Sequence, residues 1–78
     1  MINSIKNISV VFIGAGNLAT NLAKALYKKG FSIQQVYSRT EESAKALADL
    51  VESTFTTSLE EVTNNASLYI VSLTDDAL

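Results

Sequence analysis

Cysteine, histidine, proline and tryptophan are all missing from these 78 residues. Without cysteine there is no disulfide framework and no thiolate metal site. Without histidine the commonest general base and metal ligand is gone. Six basic side chains stand against eight acidic ones, a net charge of −2, which leaves no electrostatic surface for nucleic acid. The apolar runs fall far short of the ~20 residues of a membrane helix, and residues 1–7 are too polar for a signal peptide. The chain therefore reads as a soluble, cytoplasmic domain with neither a nucleic-acid nor a membrane partner. Glycine is scarce too, only three in all, yet two of them lie one residue apart.

Ile8 to Ile13 is β-branched or aromatic apart from Ser9, the composition of a strand buried on both faces. From Asn17 to Lys29 the spacing becomes helical. Leu18, Leu22, Ala25 and Leu26 form the expected apolar stripe, with Ala19 and Ala23 beside it. Lys28 and Lys29 suit the negative end of the helix dipole, and Gly30 suits a left-handed residue just past the end. Ser32 to Ser38 reads as a second strand. Thr40 is the expected N-cap of a second helix, with Glu41 and Glu42 in its first turn and Ala44, Leu47, Ala48 and Val51 on its apolar face. A short strand over Thr54 to Thr56, a capping box at Ser58-Leu59-Glu60-Glu61 opening a third helix, and a last apolar strand from Ser67 to Leu73 complete the pattern. Strands alternating with helices imply right-handed crossovers and a parallel sheet. The fold class is α/β, an incomplete, doubly wound Rossmann-like sheet with βαβαβαβ order. All of 1–78 falls in this one domain, which reads as the amino-terminal part of something larger.

Gly14-Ala15-Gly16-Asn17-Leu18-Ala19 follows the first strand and opens the first helix. This G-x-G-x-x-A turn is a dinucleotide fingerprint when it stands inside a βαβ unit. Gly14 lets the chain turn sharply, Gly16 lets a diphosphate approach the backbone, and Ala19 lets the helix pack closely. The amides of Asn17 and Leu18 lie at the positive end of the helix dipole and are free to donate. A tight turn without a ligand is the competing reading.

The end of the second strand selects the nucleotide. An acidic residue there receives the ribose hydroxyls of NAD, but this chain has Ser38-Arg39-Thr40, with no carboxylate before Glu41. Arg39 would pair with a 2′-phosphate, and the Ser38 and Thr40 hydroxyls could donate to its oxygens. The cofactor expected is NADP. A solvated loop charge at Arg39 and a plain helix cap at Thr40 are the alternatives.

At the end of the last strand, Leu73 and Thr74 are expected beside the nicotinamide half. Asp75 and Asp76 read better as an N-cap and first-turn acid than as an acid–base pair. No G-x-x-x-x-G-K-[ST] phosphate loop occurs. Tyr37 and Tyr69 read as strand packing residues, and Lys24, Lys28 and Lys29 as solvated. No catalytic residue and no metal ligand can be named.

Val10 to Ala19, Val36 to Thr40 and Ile70 to Leu78 together resemble the NADP-dependent reductases that include pyrroline-5-carboxylate reductase and the deazaflavin-dependent NADP oxidoreductases. The last segment looks most like a bacterial branch in which a Rossmann-like domain precedes an uncharacterised helical domain. The resemblance implies phosphate contacts at Gly14, Gly16, Asn17 and Leu18, and 2′-phosphate contacts at Ser38, Arg39 and Thr40. It also places Leu73 and Thr74 near the nicotinamide ribose, although relatives often have proline where Thr74 stands. It implies an oxidoreductase passing hydride between nicotinamide and a small imine or carbonyl. The substrate pocket and homodimer interface would come largely from a carboxy-terminal helical domain. A non-catalytic dinucleotide-sensing module and a Rossmann-shaped interaction domain without cofactor are the alternatives.

Overall fold

The computed structural model describes residues 8–72. Four strands are laid side by side: β1 (Ser9–Ile13), β2 (Ser32–Tyr37), β3 (Thr54–Thr56) and β4 (Leu68–Val71). Every pairing is parallel and the order is β3-β2-β1-β4. The chain runs outward from β1 to β3 and then crosses back to place β4 on the other side of β1. The order therefore reverses beside β1, which is where open α/β sheets form their crevice.

Helix α1 (Asn17–Lys28) and helix α2 (Glu41–Val51) cover one face of the sheet. Val10 and Phe12 of β1 pack there with Ile33 and Val36 of β2, against Ala19 and Ala23 of α1 and Leu47, Ala48 and Val51 of α2. In α2 the four expected apolar residues are all buried. In α1 the buried line is shifted from the expected one. Ala19 and Ala23 are fully buried, while Leu18 is 72% exposed and Leu22 38%. The alanines face the strands, Leu26 packs at the margin of the core, and Leu18 and Leu22 turn outward.

The second face carries Val11, fully buried, beside Gln35. A bulge puts Val10 opposite Ile33 but Val11 opposite Gln35, so Gln34 is the extra residue. Gln35 holds the β3–β4 crossover over this face. Its Nε2 donates to the Glu61 carbonyl at 3.2 Å, and its Oε1 accepts from the Thr63 amide at 2.8 Å. Tyr69, expected to serve packing alone, clasps the same crossover: its phenol donates to the Thr63 carbonyl and accepts from the Ala66 amide.

That crossover holds a single 3-10 turn, Leu59–Glu61, and no capping box. Ser58 makes no side-chain cap: the Glu61 amide donates to the Ser58 carbonyl at 3.0 Å, and the Thr56 hydroxyl has taken the Ser58 amide at 3.1 Å that the Glu61 carboxylate would accept from in a capping box. The last strand is also less buried than its composition suggests. Leu68, Tyr69 and Val71 are 43%, 38% and 63% exposed, since among the described residues β4 pairs only with β1.

The punctuation follows the sequence closely. Gly30 has φ 104°, just after the Lys29 cap of α1. Thr40 Oγ1 accepts from the Ser43 amide at 3.3 Å. Glu52 ends α2 at φ 53°, an uncommon position for a residue with a Cβ. Desolvation, then the Glu52 carboxylate beside it, raises the Tyr27 phenol above its ordinary pKa. Among the described residues no helix is long and apolar enough to cross a membrane.

Candidate functional site: the carboxyl edge of the sheet

Backbone hydrogen bonds tie the carboxyl ends of all four strands into one row. The Ser72 amide donates to the Ile13 carbonyl at 2.8 Å, and the Gly14 amide to the Tyr37 carbonyl at 2.7 Å. The Ser38 amide donates to the Thr56 carbonyl at 3.2 Å. The row therefore reads Ser72, Gly14, Ser38, Thr56 across the sheet. It brings the glycine turn and the Ser38-Arg39-Thr40 segment to adjacent places on one edge, with the end of β4 on the other side of the turn. Leu73 and Thr74, together with Asp75 and Asp76, lie outside the described residues.

The two glycines differ in kind. Gly14 has φ 118°, a conformation closed to residues with a Cβ. Its place is dictated by the turn itself, which swings the chain out of β1 and into α1. We expect Gly14→Ala to destabilise the protein by about 1–3 kcal/mol, measurable by chemical denaturation. Gly16 has φ −79° and ψ −169°, which any residue adopts. Backbone geometry does not require glycine there, so what its absent side chain provides is open space over the turn.

The start of α1 is bare. Gly16 is its N-cap and offers no side-chain hydrogen bond, and the first turn holds no acidic residue. The Thr20 amide is the first to find a helical acceptor, the Gly16 carbonyl at 2.9 Å, so the amides of Asn17, Leu18 and Ala19 precede the helical ladder. Asn17 and Leu18 are exposed. The start of α2 is finished by the chain itself, with Thr40 as cap and Glu41 and Glu42 in the first turn. One helix end thus carries a capping side chain and first-turn acids, and the other presents donors and a positive dipole end to the crevice.

Arg39 is exposed, and Ser38 is half-buried at the foot of β2. Among the described residues the one ion pair joins Lys45 and Asp49, so Arg39 has no carboxylate partner there. Thr40 is committed to its cap through one lone pair, which leaves its hydroxyl proton available. Among the described residues no group of His, Cys, Asp and Glu side chains could hold a metal ion. Sequence reasoning missed Thr56 beside this row. It is the buried polar residue of the described chain, 8% exposed, and its T-F-T strand context hid a hydroxyl aimed at the following turn.

Comparison with known proteins agrees with the fold. The family described as NADP oxidoreductase, coenzyme F420-dependent, matches residues 9–77. A solved structure of a candidate NADP oxidoreductase from Bacteroides fragilis is 67% identical over 94% of this chain, with a TM-score of 0.88. A candidate NADPH-dependent oxidoreductase from Desulfitobacterium hafniense has the same fold over 88% of this chain, at 20% identity and a TM-score of 0.73. This chain spans 28% of the first protein's chain and 21% of the second's. No curated protein matches it. The four-stranded parallel order, the glycine turn at the reversal of strand order and the family match over 9–77 agree, and the chain belongs to the coenzyme F420-dependent NADP oxidoreductase family.

Proposed function

We propose that residues 1–78 form the NADP(H)-binding domain of an oxidoreductase that passes hydride between the nicotinamide and a small imine or carbonyl compound. The observation that carries this reading is Gly16: a glycine that its own φ and ψ do not require, set over three amides outside the helical ladder. A Cβ there would occupy the space a diphosphate needs. The bound nicotinamide would supply the hydride chemistry. The chain's own residues bind and orient. Amides of the glycine turn and of Asn17 and Leu18 donate to the diphosphate oxygens. Arg39 pairs with the 2′-phosphate, flanked by the hydroxyls of Ser38 and Thr40. Leu73 and Thr74, which follow Ser72 in the sequence, would border the nicotinamide ribose, as the family resemblance implies. A deazaflavin is the alternative hydride partner that the family's description favours.

Calorimetric titration of the whole protein with NADPH and NADH tests the proposal. We expect NADPH to bind about 10- to 100-fold more tightly, the range for charge-assisted hydrogen bonds to one extra phosphate. Preference for NADH, or no binding of either, contradicts it. Tight NADPH binding without hydride transfer to any imine, carbonyl or deazaflavin would favour a sensing module.

A further inference from the structure

We infer that Thr56 and Glu61 form a clasp that positions the 2′-phosphate segment, making Thr56 a positioning residue for nucleotide selection; the inference rests on the NADP reading above. Thr56 works in two directions. Its carbonyl accepts the Ser38 amide at 3.2 Å, one residue before Arg39. Its hydroxyl accepts the Ser58 amide at 3.1 Å and donates to Glu61 Oε1 at 3.2 Å, with the Ser58 carbonyl farther off at 3.5 Å. A hydroxyl has one proton, and the closer, charged acceptor takes it. The Glu61 carboxylate therefore fixes Thr56, and Thr56 fixes the backbone from which Arg39 projects.

The glycine turn is held by a different bond, from the Gly14 amide to the Tyr37 carbonyl, in which the Thr56 hydroxyl takes no part. Loosening the clasp should thus weaken the grip on the 2′-phosphate while leaving the grip on the diphosphate. The crossover itself stays in place without the clasp, because Gln35 holds it at the Glu61 carbonyl and the Thr63 amide. Such a residue changes the ratio of NADPH to NADH affinity, which a merely structural residue does not.

The test is that ratio, measured by titrating the whole protein and its Thr56→Val, Thr56→Ser and Glu61→Ala variants. Valine keeps the shape and removes the hydroxyl; serine keeps the hydroxyl; Glu61 is exposed, so its truncation spares the core. Thr56→Val and Glu61→Ala are expected to lower the NADPH/NADH preference about fivefold, the size of one net hydrogen bond. Thr56→Ser should retain it, and the Thr56→Val/Glu61→Ala double variant should lose no more than either single one. An unchanged ratio in Glu61→Ala, or a loss in Thr56→Ser equal to that in Thr56→Val, overturns the inference while leaving the role of Arg39 intact. A wild-type protein with no preference to lose overturns the NADP reading and this inference with it.

Discussion

Gly16→Val should weaken NADPH binding at least about 100-fold, or ~2.7 kcal/mol, in a protein that still folds. The two halves of this expectation have separate causes. The backbone at Gly16 lies in the extended region, which valine adopts without strain. Removing glycine reduces the freedom of the unfolded chain, whereas valine is a poorer N-cap than glycine. These terms oppose each other, and the net change in stability should stay within about 1 kcal/mol. Binding has no such compensation. The valine methyls would stand over the amides of Asn17 and Leu18, where diphosphate oxygens must come within hydrogen-bond distance. Gly14→Ala gives the reverse profile, a loss of stability that follows from φ 118°. Measuring unfolding and NADPH affinity for both variants separates a glycine the chain needs from one a ligand needs. Equal behaviour of the two would mean that the turn is only a turn.

Arg39→Ala should weaken NADPH binding about 10- to 100-fold and change NADH binding less than about twofold. One charge-assisted hydrogen-bonded contact is worth ~1.5–3 kcal/mol, and NADH lacks the phosphate that makes it. Arg39 is exposed, so the wild-type preference should also shrink as salt is added, because salt weakens a solvent-exposed ion pair. Arg39→Asp should go further. A carboxylate there repels the 2′-phosphate and accepts from the ribose hydroxyls, the arrangement that favours NAD. Titrations with both nucleotides at low and high salt check all three statements. Equal losses for NADPH and NADH would show that Arg39 supports the fold and does not select the nucleotide.

Much of this arrangement was legible in the chain because local chemistry and tertiary structure demand the same residues. Gly14 and Gly30 mark the two positive-φ positions occupied by glycine. Thr40 caps the helix that its sequence announces, and the apolar spacing of α2 is the spacing it buries. The misreadings occur where distance in space outweighed pattern in sequence. Hydrophobicity favours leucine for the buried stripe of α1, but Ala19 and Ala23 are the residues that face the strands and Leu18 stays outside. Ser58 has the capping-box spacing, yet Thr56 reaches the Ser58 amide first. The apolar run of β4 gives no sign that, among the described residues, it pairs with β1 alone, because pairing order is a long-range property. The glycine turn, Ser38, Arg39 and Thr40 could be named from the sequence, since each is a local signal. The Ser38–Thr56 link could not, as it joins residues 18 apart on neighbouring strands.

The account rests on open amides at the first crossover as the seat of a diphosphate. A crystal structure of the whole protein soaked with NADP tests this most directly. It should show diphosphate oxygens within about 3.2 Å of the amides of Asn17 and Leu18, no protein atom intervening at Gly16, and the 2′-phosphate on the Arg39 guanidinium. A dinucleotide bound away from this edge, or a mouth filled by protein side chains, would contradict it.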